Sequence, residues 1–174
     1  YTGAAAFTGT GNALNNIIQS GAGHDILDGG TGNDTLIGGL GNDIYVVDSL
    51  ADVVTEAAAA GTDTIRTELD GYSLAAIANV ENLTYLGVGN FDGTGNALAN
   101  VIQGGAGNDT LNGGAGVDRL EGGDGNDVYI VDVATDVVVE NPGEGTDRIQ
   151  TALAGYSLAA IANVENLTYT GAGN

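Results

Sequence analysis

Six aspartates recur at a nine-residue spacing in two blocks of the chain, and this pattern is the strongest candidate for chemistry in the sequence. Each is the sixth residue of a unit that reads Gly-Gly-x-Gly-x-Asp-x-apolar-x, with Ser20 in place of the first glycine of the first block. The units fill residues 20–46 and 104–130 without a gap. One such aspartate could be a solvated turn residue, but six at a fixed spacing indicate a shared role. They are Asp25, Asp34, Asp43, Asp109, Asp118 and Asp127.

Carboxylate and carbonyl oxygens with flexible geometry suit a hard cation, and Ca²⁺ takes about six to eight of them. Aspartates stacked without a cation would repel one another. The repeat therefore predicts a ladder of calcium sites. Glycines at positions two and four are expected to set the geometry of the loop carbonyls, which is compatible with ordinary turn formation. These glycines are Gly21, Gly23, Gly30, Gly32, Gly39, Gly41, Gly105, Gly107, Gly114, Gly116, Gly123 and Gly125.

The repeat unit also predicts the local structure that stacks these residues. In residues 29–37 the first six, GGTGND, favour a turn, and Thr35, Leu36 and Ile37 favour an extended strand with Leu36 pointing inward. A turn and a short strand, repeated, wind the chain into a coil of parallel strands. The expected inward residues are Leu27, Leu36, Tyr45, Leu111, Leu120 and Tyr129.

These nonapeptides resemble the RTX (repeats-in-toxin) family, whose GGxGxDxUx units bind Ca²⁺ in a parallel β-roll. The resemblance implies an all-β, right-handed parallel β-roll or β-solenoid in which alternate turns lie on the same side. It also implies that calcium lies between turn n and turn n+2, held by position-six aspartates and loop carbonyls. On this basis Asp25 pairs with Asp43, and Asp109 pairs with Asp127.

The same resemblance places Asp34 and Asp118 on the opposite side of the roll. The partners that precede them there are Asn16 and Asn100. The partners that follow them are Asp52 and Asp136, at position six of units that have lost their glycines. Because asparagine supplies a neutral oxygen, sites formed with it are expected to be weak or empty, and Asp52 and Asp136 are the better candidates.

A larger repeat of 84 residues aligns the chain with itself without gaps from Tyr1 to Asn174, as in the pair Phe7 and Phe91. It divides the chain into two RTX units, residues 1–90 and 91–174, each expected to be one module packed on the next. Each unit contains a degenerate lead-in (residues 11–19 and 95–103), a nonapeptide block and a calcium-poor segment (residues 47–89 and 131–173). Two units and a fragment look like a window from a longer array, whose open strand edges would require a cap or another copy.

The calcium-poor segment is predicted to continue the coil, because residues 52–56, 63–66 and 81–85 alternate polar and apolar side chains as half-buried strands do. Residues 73–80 allow two interpretations, a short helical turn behind a serine cap or an extended segment, and the resemblance favours the extended one. Residues 57–61 are predicted to form an exposed loop, since they differ most between the two units.

Composition restricts the partners. The formal charge of −20 disfavours nucleic acid and anionic membrane surfaces as direct partners, and no apolar run is long enough to insert in a bilayer. A chain this acidic resists compaction because its negative charges repel one another. About six bound calcium ions would add roughly +12 of positive charge and relieve this repulsion. Acidic chains are often disordered. Because this chain is 43% hydrophobic and strictly periodic, we expect it to be disordered only when calcium is absent.

Other chemistry has weaker support in the sequence, and we expect no catalytic residue. His24 is predicted to be an exposed loop residue without metal or acid–base partners. Arg119 and Glu121 are predicted to form a surface ion pair. Tyrosines that recur at the 84-residue period are more consistent with core packing than with a sugar-binding platform.

The sequence therefore favours a calcium-binding structural repeat module that folds with calcium in a secreted or cell-surface bacterial protein. Its parent would be an adhesin, a surface-layer protein or an extracellular filament, and end-to-end self-association with further copies is one expected partnership. Alternatives are the C-terminal module of a secreted RTX enzyme (protease, lipase or polysaccharide epimerase) and a polysaccharide-binding module. The resemblance also implies type I secretion under a C-terminal signal. The sequence shows neither such a tail nor an N-terminal signal peptide, so we expect an excerpt or another route.

Overall fold

The computed structural model describes residues 3–172, and in them the chain winds as a β-solenoid of short parallel strands. Tyr1 and Asn174, the ends of the gapless alignment, lie outside the described residues. Successive strands alternate between two facing layers, so that each turn of the coil contributes one strand to each layer, except that the last two described strands both lie in one layer. The all-β, parallel solenoid expected from the nonapeptides is confirmed.

One layer is a continuous sheet of eight strands, which we call the long sheet. With strands numbered in chain order, it contains β1 (Thr8–Thr10), β3 (Ile26–Asp28), β5 (Ile44–Val47), β7 (Thr64–Thr67), β9 (Asn82–Tyr85), β11 (Val101–Ala106), β13 (Arg119–Asp124) and β15 (Val137–Val139).

The facing layer, here the split layer, consists of two sheets. The first contains β2 (Ile17–Gln19), β4 (Thr35–Ile37) and β6 (Val53–Thr55). The second contains β8 (Gly71–Ser73), β10 (Asp92–Thr94), β12 (Thr110–Asn112), β14 (Val128–Val131), β16 (Arg148–Thr151) and β17 (Asn166–Tyr169). Within the described residues, the helical structure is one 3₁₀ turn, η1 (Leu158–Ala160), and no helix has the length and apolar character to cross a bilayer.

Register follows from the nonapeptide. In the nonapeptide blocks each strand residue pairs with the equivalent residue of the second repeat after it. For example, Leu27 of β3 pairs with Tyr45 of β5. Beyond the blocks the offset changes, and Tyr45 pairs with Ile65 between β5 and β7. The coil therefore continues through the segments without the glycine repeat, as their alternating pattern predicts.

A single apolar core fills the space between the layers, and it is built mainly from the inward-pointing residues of the strands, because alternate side chains point to opposite faces of a strand. Every inward residue named from the repeats is fully buried at 0% exposure, including Tyr45 and Tyr129. Tyr85 stacks on Phe91 with ring centroids 4.6 Å apart. Core packing is therefore the role of the buried tyrosines, whereas Tyr169 on β17 is 54% exposed.

Residues 73–80 differ from the extended structure that we favoured. After β8 the chain turns twice between Leu74 and Val80, and Asn79 has a positive φ of 62°. The equivalent stretch of the second unit forms η1, where Ser157 Oγ accepts a hydrogen bond from Ala159 N. A turn capped by serine therefore forms here in place of the extended segment that the repeat of the coil would predict. The loop of residues 57–61 is mostly exposed as expected, although Ala60 is buried.

Candidate metal centre

Position-six residues form two columns, one on each side of the solenoid, because each stands in the loop just before a strand. The first column lies in the loops that lead into the long sheet. It contains Asp25, Asp43, Asp63, Glu81, Asn100, Asp118 and Asp136. The second column lies in the loops that lead into the split layer. It contains Asn16, Asp34, Asp52, Asp109, Asp127, Asp147 and Glu165.

One oxygen of each carboxylate holds the preceding turn of its column. Asp25 N donates to Asp43 Oδ1 at 2.8 Å, and Asp43 N donates to Asp63 Oδ1 at 2.8 Å. The series ends where Asp63 N donates to a Glu81 carboxylate oxygen at 2.8 Å. Farther along the first column, Asp118 accepts from Asn100 N and donates to Asp136 Oδ1.

The second column repeats this arrangement. Asp34 accepts from Asn16 N at 2.7 Å, and its own N–H donates to Asp52 Oδ1 at 2.9 Å. The asparagine and the aspartate that the sequence offered as alternative neighbours of Asp34 therefore both lie next to it. In the second unit the same bonds link Asp109 to Asp127 and Asp127 to Asp147 at 2.8 Å each.

The second oxygen of six of these carboxylates has no partner, whereas Oδ2 of Asp52 and of Asp136 each accepts a backbone hydrogen bond of 3.2 Å. Within the described residues, Oδ2 is buried without a hydrogen bond in Asp34, Asp43, Asp63, Asp109, Asp118 and Asp127. A buried anionic oxygen left unpaired is costly, and the usual remedies are a counter-charge or a metal ion. Asp25 Oδ2 accepts a long bond of 3.4 Å from Gly21 N. The columns thus offer the oxygens that a hard cation requires.

The charges around these oxygens have the same sign. Burial, with a smaller contribution from neighbouring carboxylates, raises the pKa of Asp63 and Asp109 to about 7 and that of Asp127 to about 6. The chain has three lysine and arginine residues in all. Arg119 uses its guanidinium at the surface, where Nε lies 2.5 Å from Glu121 Oε1, the ion pair expected from the sequence. His24 lowers the pKa of Asp43, but burial of that carboxylate outweighs it, and the net pKa is raised.

At most of positions two and four the glycine loops stack too closely for a larger residue, although a Cβ at Gly105 would lie 3.7 Å from the nearest atom. Gly41 has φ +123°, and a Cβ there would lie 1.8 Å from the carbonyl oxygen of Gly23 in the turn below. In the other motif glycines from Gly30 to Gly125 φ is likewise positive. This close stacking brings loop carbonyls beside the carboxylate columns, as a site made of oxygen ligands requires.

Position five forms an outer ladder that contains His24. His24 is exposed, and its Nδ1 accepts from Asn42 N at 2.7 Å. Asparagine Oδ1 does the same in other turns, for example from Asn126 N to Asn108 at 2.7 Å. The histidine is thus a loop residue that replaces an asparagine acceptor, as its position predicted.

Sequence reasoning missed the acids that extend the columns beyond the motif, namely Asp63, Glu81, Asp147 and Glu165, and also missed the buried Glu56 and Glu140. A signal was present, since Asp63 and Glu81 each precede an alternating strand as position-six aspartates do. The lost glycines and the 20-residue step from Asp43 to Asp63 hid it.

Comparison with known families agrees with this geometry. Residues 10–45 and 94–129 match a family model described as the RTX calcium-binding nonapeptide repeat (4 copies). No curated protein sequence matches the chain.

Proposed function

Since the chain carries two arrays of the RTX calcium-binding nonapeptide repeat, we propose that it is a structural module that folds when it binds Ca²⁺, within a secreted or cell-surface bacterial protein. The observation that carries this proposal is the set of buried, unpartnered Oδ2 atoms in the two columns. The residues fit the ion, because acidic oxygens lie near loop carbonyls, as at Gly116, where a Cβ would lie 2.2 Å from Leu98 O and 3.1 Å from Asp118 Oδ1.

The proposed ligands are the position-six aspartates and the loop carbonyls beside them. They would act in successive pairs along each column, for example Asp25 with Asp43 and Asp34 with Asp52. Bound calcium supplies the positive charge that these carboxylates lack. The chain's own residues do the rest: aspartate Oδ1 holds the turn below, and the glycines permit close stacking.

The folding switch follows from charge and entropy. With scarce calcium, a chain of charge −20 with 31 glycines has strong self-repulsion and a large entropy to lose on folding. Because calcium binds a site that exists only in the folded chain, its binding free energy stabilises that state. Calcium modules outside cells work at about 10⁻⁴–10⁻³ M. Such a chain would stay unfolded for export, by type I secretion in our proposal, and fold outside.

Circular dichroism during a calcium titration tests this function, with magnesium as the control ion. We expect a cooperative gain of β-structure with calcium and little with magnesium, which prefers strict octahedral geometry and retains its waters. Full β-structure in chelated protein at low salt would contradict the proposal. The two 84-residue units share one core, so we expect a single transition rather than two.

The tandem arrangement of the two 84-residue units around one shared core supports a role as a spacer or filament segment. Leu83 and Tyr85 are 0% and 5% exposed inside the coil, whereas their equivalents Leu167 and Tyr169 are 41% and 54% exposed. We propose that a second copy of the module packs on this exposed apolar pair, as neighbouring solenoid repeats pack on each other. We expect calcium-dependent association by sedimentation velocity, and loss of that association in Leu167→Glu. A monomer at all concentrations would argue against end-to-end assembly.

A further inference from the structure

Three carboxylates meet at the end of each nonapeptide block, and one of the three is a glutamate from outside the repeat. In the first unit these are Asp43, Glu56 and Asp63, with one oxygen of each lying within 4.8 Å of the others. Asp127, Glu140 and Asp147 form the same group 84 residues later. In both groups all three residues are buried.

The glutamate occupies a register position that is glycine in the motif. Ile37 of β4 pairs with Thr55 of β6, so Glu56 lies beside Gly38, the first residue of a nonapeptide. A Cβ on Gly38 would lie 2.2 Å from Asp43 Oδ2 and 2.9 Å from Glu56 Oε2. The motif glycine thus leaves the space in which the carboxylates of Asp43 and Glu56 approach each other.

Unpartnered oxygens show that the group is incomplete as protein alone. Oδ2 of Asp43, Asp63 and Asp127 is buried without a hydrogen bond, and these three residues are each 1% exposed. Glu140 Oε2 is also buried without a partner. Four oxygens in two equivalent places therefore lack the donor or cation that burial of an anion requires.

A buried tyrosine orients each glutamate. Tyr45 Oη donates to Glu56 Oε2, and Tyr129 Oη donates to Glu140 Oε1. The backbone adds Ala57 N, which donates to Glu56 Oε1 at 2.7 Å, and Gly122 N, which donates to Tyr129 Oη at 2.9 Å. Because Tyr45 and Tyr129 are 0% exposed, packing fixes these hydroxyl groups and so fixes the carboxylates.

We propose that Glu56 and Glu140 complete two three-carboxylate sites for a hard divalent cation, Ca²⁺ foremost, at the junctions between the nonapeptide blocks and the segments without glycine repeats. The inference rests on the proposed calcium binding and adds a second kind of site to it. Glu56, Asp63, Glu140 and Asp147 all lie outside the matched residues 10–45 and 94–129. With three carboxylates instead of two, these sites bind calcium more tightly than the sites inside the blocks.

Terbium luminescence distinguishes the two kinds of site. Tb³⁺ is a hard, oxygen-seeking probe that replaces calcium and emits when a nearby tyrosine transfers excitation energy. Tyr45 and Tyr129 contact the proposed ligands, so the first ions added to wild-type protein should give tyrosine-sensitised emission that calcium abolishes. In Tyr45→Phe/Tyr129→Phe, which keeps every carboxylate, most of this emission should disappear. Unchanged emission in that variant would overturn the proposal.

Calorimetry with calcium supplies the second measurement. We expect Glu56→Gln/Glu140→Gln to lose two high-affinity sites or to weaken them at least tenfold, while Glu68→Gln, the same change at an exposed glutamate, binds as wild type. Asp34→Asn should weaken a block site and leave the sensitised emission intact. Equal stoichiometry and affinity in the double variant would overturn the inference but not the proposed function. A wild-type chain that binds no calcium would overturn both.

Discussion

Asp25 and Asp109 are equivalent residues, 84 positions apart in the repeat, but they lie on opposite sides of the solenoid. Asp25 precedes β3 of the long sheet, and Asp109 precedes β12 of the split layer. β12 is nine strands after β3 along the chain, and because these strands alternate between layers, an odd number of steps exchanges the sides. Each column therefore joins a pair of motif aspartates from one unit to a single motif aspartate from the other.

Spin-label distances test this exchange. Labels at Leu40 and Ala115, exposed residues in loops that lead into β5 and β13, should lie on one side, separated by four strand spacings or about 19 Å. Labels at Leu40 and Asp124, which are equivalent in the 84-residue repeat, should be clearly farther apart because they lie on opposite sides. A shorter distance for the equivalent pair would show that the units do not exchange sides.

Removal of one column carboxylate should raise the calcium requirement for folding. In Asp118→Asn a buried oxygen with no partner becomes a neutral amide, so we expect the calcium midpoint to rise roughly tenfold. Asp124→Asn makes the same charge change at an exposed position of the next repeat and should shift the midpoint little. Circular dichroism at fixed ionic strength compares the two variants, and equal shifts would mean that net charge, not the column, controls folding.

Protonation of the buried carboxylates at low pH should stabilise the folded chain and so substitute in part for bound calcium. Burial raises the pKa of Asp63 and Asp109 to about 7 and that of Glu140 to about 8, above the ordinary values of 3.8 and 4.5. Protons therefore bind the folded chain more tightly than the unfolded chain. This contribution to stability is complete below about pH 4 and is lost as pH rises through 7 to 8.

Chelated protein should consequently show more β-structure at pH 5 than at pH 8. Calcium affinity should change in the opposite direction, since the ligands must lose protons to bind. Calcium titrations at both pH values give the two trends in one experiment. If the calcium-free chain were more folded at pH 8 than at pH 5, burial would not raise the pKa of the column carboxylates as described.

Alanine at two glycines with positive φ should separate backbone strain from loop stacking. At Gly143, with φ +88°, a Cβ has no atom within 4 Å, so Gly143→Ala should cost about 1–2 kcal/mol for the left-handed conformation alone. Gly41→Ala adds a Cβ 1.8 Å from the Gly23 carbonyl oxygen, and overpacking should raise the total cost to about 3 kcal/mol or more.

Urea unfolding in saturating calcium measures both glycine variants. Gly71→Ala is a third member of the series, because its Cβ would lie 3.8 Å from the nearest atoms, in ordinary contact. If Gly41→Ala and Gly143→Ala destabilise the protein equally, close stacking of the loops contributes little to the preference for glycine in the motif.

Local order came from the sequence by itself. The nonapeptide determined which residues turn, which extend and which face the core, because glycine tolerance of positive φ and the two-residue period of a strand are local properties. Leu36 and Tyr45 are buried as the pattern requires. Residues 73–80 were the exception, because a serine side chain bonded to its own backbone there and outweighed the period of the coil.

Only the tertiary structure decided what lies above and below each residue. Stacking depends on the cumulative length of every loop and on the parity of the strand count, and neither is visible in a nine-residue window. The 20-residue step that brings Asp63 over Asp43, the exchange of sides between the units and the burial of Glu56 against Tyr45 all follow from that geometry. The sequence therefore determined the repeating ligand, and the winding of the coil determined its neighbours.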